Sequence, residues 1–386
     1  MNDLLTVAVT AGASDLHLKV GSCPMMRVRG DLAPAAPDRR LTDEDMVAIA
    51  NAVLPTSHRE KFKNNHEVDL AYSVAGLGRF RCNAFQQRGT ISMIFRVIPM
   101  DIPKIDELKL PPVLEQIAQE RRGLVLVTGT TGSGKTTTLA SLVDAINSTR
   151  TAHIITLEDP IEYLHRDHMS IVSQREIGVD TDTFAHALRS ALRQDPDVIL
   201  VGEMRDFETI ETALVAAETG HLVFSTLHTL DATETVNRII SVFPPHQQQQ
   251  VRIQLASVLR AVVSQRLIPK ADGKGRAPAV EILISTAFIR DCIVDKDKTS
   301  MIPSAIAQGT SQYGMQSFDQ SIFSLFERGL ISVDEALRWV SNVDDFKLKV
   351  QGISSSTEMA LDQMARSAES RTSSRRGDPE ITRFGS

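Results

Sequence analysis

Between Gly129 and Thr136 the chain reads Gly-Thr-Thr-Gly-Ser-Gly-Lys-Thr, a glycine, four residues and then Gly-Lys-Thr. No other stretch constrains the fold as strongly. This spacing lets backbone N–H groups close around one anion, provided that a strand leads in and a helix leads out. Both flanks are present. Leu124-Val125-Leu126-Val127 is an apolar run suited to a buried parallel strand, and Leu139, Leu142, Val143 and Ile146 recur at helical spacing between Thr137 and Asn147. The pattern predicts a nucleoside triphosphate held by Gly129, Thr130, Thr131, Gly132, Ser133, Gly134, Lys135, Thr136 and Thr137, with a helix N-terminus facing its phosphates. Lys135 is expected to reach the β- and γ-phosphates, and the Thr136 hydroxyl to ligate Mg2+.

Strands and helices alternate after this loop, which implies a parallel sheet with crossover helices. His153 to Asp159 reads as a strand ending in two carboxylates, Asp197 to Glu203 as one ending in a carboxylate, and Leu222 to His228 as one ending in a histidine. Thr209 to Thr219 is a helix stopped by Gly220. Polar groups are thereby delivered to the carboxyl ends of the strands, where α/β sheets bind ligands. Glu203, after a hydrophobic strand and Gly202, sits where a carboxylate would polarise water or hold Mg2+ through one. Glu158 and Glu162 form a second acidic cluster, so the general base is not uniquely fixed; Glu203 is favoured, with Glu158 in the Mg2+ water shell. Glu158-Asp159-Pro160 also reads as an ordinary strand-ending turn. His228 is either a γ-phosphate contact or a structural hydrogen-bond partner. Residues 234–345 read as all-helical, from the apolar spacing of Val236, Ile239 and Ile240, then of Val251, Leu255, Val258, Leu259 and Val262.

The first hundred residues read as a separate α+β unit. Asp15 to Val20 alternates like a strand with Met25 to Gly30 as its hairpin mate, and Thr42 caps a helix that Pro55 ends. Arg79 to Ala84 and Ile91 to Val97 alternate on either side of a turn. Period-2 alternation sends Arg79, Arg81 and Arg96 to the polar face of this hairpin. That face is either simply solvated or offered to phosphates on another subunit. Pro99, Pro103, Pro111 and Pro112 mark a stiff connection. The expected division is therefore 1–98, a linker at 99–112, an ATPase domain at 113–353 and a disordered tail at 354–386, where Ser, Arg and Glu predominate.

Composition narrows the function classes. Net charge is −6 with a pI near 6.0, so no specific nucleic-acid partner is expected. Cys23, Cys82 and Cys292 are odd in number and far apart, which reads as reduced thiols rather than a disulfide framework or a zinc site. No run approaches a membrane span, and the N-terminus lacks the pattern of a signal peptide, so attachment to a membrane would come through a partner.

Four motifs in order carry a family resemblance. Besides the phosphate loop, Leu157-Glu158-Asp159-Pro160-Ile161-Glu162 is similar to an Asp box. Asp195-Pro196-Asp197 through Val201-Gly202-Glu203-Met204-Arg205-Asp206 is similar to a Walker B, and Thr219-Gly220-His221 through Ser225-Thr226-Leu227-His228-Thr229 to a His box. Together they resemble the type II/IV secretion ATPase superfamily, and within it the PilT-like ATPases of type IV pilus retraction and twitching motility. The likeness spans roughly residues 1–345, including Gly12-Ala13-Ser14-Asp15-Leu16-His17. It implies an α/β protein, a PAS-like α+β N-terminal domain followed by a RecA-like P-loop NTPase domain with a helical C-terminal region. It further implies a homohexamer in which one subunit's N-terminal domain packs on the next subunit's ATPase domain, with Arg81 and Arg96 as fingers on the neighbour's γ-phosphate. A cytoplasmic ring, peripheral at the inner membrane through a pilus platform protein and accompanied by a paralogous retraction ATPase, completes the expectation. The sequence lacks a four-cysteine insert, which favours the retraction branch. Ala287-Phe288-Ile289-Arg290-Asp291-Cys292-Ile293 departs from that branch's Ala-Ile-Arg-Asn-Leu-Ile-Arg-Glu signature, so main and accessory motor both stay open. The alternatives are a pilus assembly, secretion or DNA-transfer ATPase of the same superfamily, or an accessory nucleotide-binding subunit.

Overall fold

The computed structural model describes residues 1–351, so the expected tail at 354–386 lies outside the described residues. Two sheets organise the chain. The first comprises β1 (Asp15–Lys19), β2 (Met25–Val28), β3 (Asp31–Pro34), β4 (Glu67–Val74), β5 (Gly78–Gln87) and β6 (Thr90–Val97), in the order β3-β2-β1-β6-β5-β4. Every pairing in it is antiparallel. Alternation decides which face is dry: Leu16, Leu18, Phe80, Cys82, Ala84, Met93 and Phe95 are buried against Leu5, Met46, Ala50 and Val53 of the flanking helices. The helix Asp43–Val53 begins with a reciprocal capping box between Thr42 and Asp45. A further helix, Thr56–Asn65, follows Pro55 and buries none of its side chains, so no apolar period announces it.

The second sheet comprises β7 (Gly123–Thr128), β8 (His153–Glu158), β9 (Ile171–Glu176), β10 (Val198–Val201), β11 (Leu222–Leu227), β12 (Leu259–Pro269) and β13 (Arg276–Ile284). Their order is β13-β12-β7-β11-β10-β8-β9. All neighbours run parallel except β13 against β12. One face is covered by helices Val113–Ala118 and Lys135–Thr149, the other by Phe184–Ala191, Phe207–Glu218, Ala232–Ser241 and Gln248–Val258. Burial on both faces explains why β7, β10 and β11 are buried at almost every position. The mixed α/β architecture is the expected one.

The all-helical reading of 234–345 is wrong over 259–284. The helix stops at Val258, and the chain runs straight on as β12 beside β7, then returns through Asp272–Gly275 as β13. Leu259, Ala261, Val262 and Val263 are all buried because both faces of this strand are covered. Arg260 apart, the start of β12 is an unbroken apolar run, and periodicity cannot separate strand from helix there. Helices do resume at Ala287–Val294 and continue through Phe318–Glu327, Val333–Trp339 and Val343–Val350. Ile289 and Ile293 are fully buried core residues.

Candidate active site

The phosphate loop is shaped by its neighbours. β7 ends at Thr128, whose hydroxyl donates to Ser264 Oγ of β12 at 2.9 Å. Gly129 then turns at φ 138°, and a Cβ built there would lie 2.3 Å from the Gln265 carbonyl oxygen and 2.7 Å from Ser133 Oγ. Only a glycine lets the loop pass this close to β12. Gly132 also has a positive φ, 78°, but nothing lies within 4 Å of its missing side chain. The helix Lys135–Thr149 starts at Gly134, and its N-terminus opens on the cleft.

Lys135 Nζ donates to the carbonyls of Gly129 at 2.9 Å and Thr130 at 3.0 Å, so its side chain lies folded against the loop. Burial lowers its pKa, and the carboxylates of Glu162 and Glu203 act in the opposite sense. Around it lies a cleft of about 620 Å³, lined among others by Thr131, Gly132, Gly134, Thr136, Thr137, Glu158, Glu203 and His228. The strand-end groups of β8, β10 and β11 thus converge on one space beside the loop. Among the loop residues, Gly129, Thr130 and Ser133 do not line this cleft; Ser133 Oγ is buried with no hydrogen-bond partner.

The three strand-end groups differ in surroundings. Glu203 Oε2 sits 2.7 Å from Arg205 Nε and 3.5 Å from His228 Nε2, so carboxylate and imidazole are near neighbours at the cleft wall. Glu158 is buried, and burial pushes its carboxyl above the usual range, while hydrogen bonds from Thr156 Oγ1 (2.6 Å) and Gln174 Nε2 (3.1 Å) to Oε1 resist that rise. Among the described residues no three His, Cys, Asp or Glu side chains are grouped to hold a metal by themselves. Mg2+ beside phosphates needs no such cage, since it keeps most of its waters. Thr136, Glu158 and Glu203 all face the cleft where it would lie.

Several participants carried no sequence signal. Arg276, on β13, lines the cleft and donates to the Gly132 carbonyl at 3.3 Å. Tyr163 shares a 3.1 Å hydrogen bond between its hydroxyl and Thr137 Oγ1. Gln265 Oε1 accepts from Thr138 Oγ1 at 2.8 Å. Arg205 was visible only as part of the acidic motif. Without the β12–β13 hairpin in view, nothing in the sequence placed Gln265 or Arg276 beside the loop.

The arginine face is only partly as expected. Arg81 and Arg96 stand directly opposite each other on β5 and β6, with side chains 47% and 68% exposed. Each keeps an intradomain partner, Asp69 at 3.8 Å and Asp15 at 3.0 Å. Neither lines the chain's own cleft. Arg79 does not share their solvent-facing setting: its side chain is 20% exposed, and Nη2 donates to Glu176 of β9 at 2.9 Å. Alternation sorts side chains by face but is silent about what the end of a sheet abuts.

Residues 80–365 match the family described as Type II/IV secretion system protein. The chain belongs to that family. It is 46% identical to the type IV pilus retraction ATPase PilT of Pseudomonas aeruginosa, over 87% of this chain and 96% of that one. It is 40% identical to the type IV pilus ATPase PilU of the same organism, over 90% of each. Among solved structures, the pilus retraction motor PilT with bound ADP matches at a TM-score of 0.80 and 46% identity, covering 88% of this chain and 96% of that one. The Legionella pneumophila ATPase DotB matches at 0.74 and 30% identity, covering 91% and 94%. The secretion-family chain is thus a PilT-like P-loop ATPase. No helix among its described residues is long and apolar enough to cross a membrane.

Proposed function

We propose that this family member binds ATP and ADP in the 620 Å³ cleft and hydrolyses ATP to drive type IV pilus retraction and twitching motility. The observation that carries the reading is the convergence of Lys135, Thr136, Glu203 and His228 on one cleft in a chain so similar to PilT. Glu203 orients the attacking water, and the nearby His228 and Arg205 hold that carboxylate in place. Thr136 would hold Mg2+, with Glu158 and Glu203 toward its waters, and the ion would neutralise charge on the phosphates. Lys135 leaves the loop carbonyls for the β- and γ-phosphate oxygens.

The working unit in this reading is a homohexamer of cytoplasmic subunits, each divided near 99–112, that pulls through a platform protein in the inner membrane. Two exposed arginines on another sheet of the same chain, neither of which lines the chain's own cleft, suit a site completed by a neighbour. A paralogous ATPase beside it, as PilU stands beside PilT in one organism, fits the same scheme. Deleting the gene tests the direction of work: pili should accumulate unretracted while surface movement is lost. Loss of pili altogether would assign the chain to assembly instead.

A further inference from the structure

The segment from Glu158 to His165 forms one wall of the cleft, and β9 holds it from behind. Two side chains of β9, two residues apart and so on one face of the strand, do this. Gln174 Nε2 donates to Glu158 Oε1 at 3.1 Å and to the Tyr163 carbonyl at 2.9 Å, while its Oε1 accepts from the His165 backbone N–H at 2.9 Å. All the reach of one carboxamide is spent on this segment. Glu176 Oε2 accepts from the Ile161 backbone N–H at 3.3 Å. The same oxygen takes Arg79 Nη2 from β5 at 2.9 Å.

Glu176 therefore joins a cleft-wall amide to a guanidinium of the other sheet through a single oxygen. The ion pair is shielded, with 20% of the Arg79 and 9% of the Glu176 side chain exposed. A shielded charge keeps its partner, because separation leaves the carboxylate uncompensated. A second tie runs the same way: the Leu164 backbone N–H donates to the Pro99 carbonyl in the connection between the two sheets. At its other side the segment reaches the phosphate-loop helix through Tyr163 and Thr137.

We propose that Arg79, Glu176 and Gln174 are positioning residues, and that the Arg79–Glu176 pair transmits the placement of the N-terminal sheet to the cleft wall carrying Glu158 and Glu162. Arg79 thus acts within its own subunit and is not a third finger beside Arg81 and Arg96. A shift of the N-terminal sheet either drags Glu176 and the Ile161 amide with it or breaks the pair and frees the wall. The reading of the cleft as an ATPase site underlies the kinetic half of this proposal, so the test has a second readout that does not depend on turnover.

The experiment is a double-mutant cycle on the full chain with Arg79→Gln, Glu176→Gln and the pair together. Hydrolysis is followed as kcat and KM for Mg-ATP, and hydrogen exchange of the 158–165 peptide is followed without nucleotide. Each single variant should lower kcat about tenfold with KM moved less than about threefold, and the double variant should match the singles, because neither partner acts alone. Exchange in 158–165 should rise in all three variants, leaving the β7 peptide unchanged. Losses that multiply to about a hundredfold, a fall confined to affinity, or unchanged exchange in 158–165 would overturn the proposal. Should Arg79→Gln lack a cooperative melt, Arg79→Met, which keeps the apolar stem and removes the charge, takes its place in the cycle. Absent turnover in the wild type with raised exchange in the variants would count against the ATPase reading and leave the coupling standing.

Discussion

Replacing Gly129 by alanine should damage the protein more than the same change at Gly132, three residues away. At Gly129 the new methyl carbon would sit 2.3 Å from the Gln265 carbonyl oxygen, part of the backbone of a central strand that cannot swing aside. Overpacking of this kind costs about 1–3 kcal/mol, and a side chain at this φ adds roughly another 1–3 kcal/mol. At Gly132 the methyl meets nothing within 4 Å, which leaves only a backbone penalty of about 1–2 kcal/mol. The difference corresponds to several degrees in the melting midpoint, at roughly 2–4 °C per kcal/mol for a domain of this size. Thermal unfolding of both variants, followed with titration of a fluorescent ATP analogue, is the assay. Gly129→Ala should melt clearly lower and bind poorly, whereas Gly132→Ala should lose only the few degrees of its backbone penalty. Equal midpoints would mean that the loop is not pinned against β12, and the cleft geometry would need redrawing.

Two other outcomes follow from particular side chains. Glu281 is buried on β13; burial pushes its carboxyl up to about 7, the Ala232 N–H bond opposes this, and Asp231 and Asp319 add to it against Arg266. Its folded value exceeds the unfolded one, so the stability it contributes is present at acid pH and is lost as pH rises from about 4.5 through about 7, on the order of 3 kcal/mol. Urea unfolding across pH 4.5 to 8 should show that slope in the wild type and a flatter one in Glu281→Gln; identical slopes would refute it. Arg81→Ala should cut ATP turnover by roughly 10³ with little change in nucleotide affinity, and equal losses in rate and binding would remove Arg81 from the finger role.

The site was legible where local chemistry is compulsory. A loop that surrounds phosphate needs glycines, a lysine and a hydroxyl in fixed order, and the buried runs of β8, β10 and β11 lead directly into the polar residues Glu158, Glu203 and His228. The hairpin arginines were legible in part, because alternation gives a face, and Arg81 and Arg96 do face outward together. What stayed hidden depends on partners distant in sequence. β12 looks helical because a strand buried on both faces has no apolar period, and with it were lost Gln265 and Arg276 beside the loop. β9, Ile-Val-Ser-Gln-Arg-Glu, is an edge strand whose polar residues serve the segment Glu158–His165. A lone Gln or Glu in such a strand looks like surface. Alternation put Arg79 on the right face, but its partner, Glu176, lies on another sheet and cannot be read from β5.

The central claim is that the Glu203 carboxylate, just past the end of β10, acts on water beside a nucleotide held by the phosphate loop. Steady-state ATP hydrolysis by purified Glu203→Gln, measured alongside nucleotide affinity, tests it most directly. The account predicts affinity within a few-fold of the wild type and turnover lower by roughly 10²–10⁴. Hydrolysis at the wild-type rate by that variant, with nucleotide bound as tightly, would contradict it.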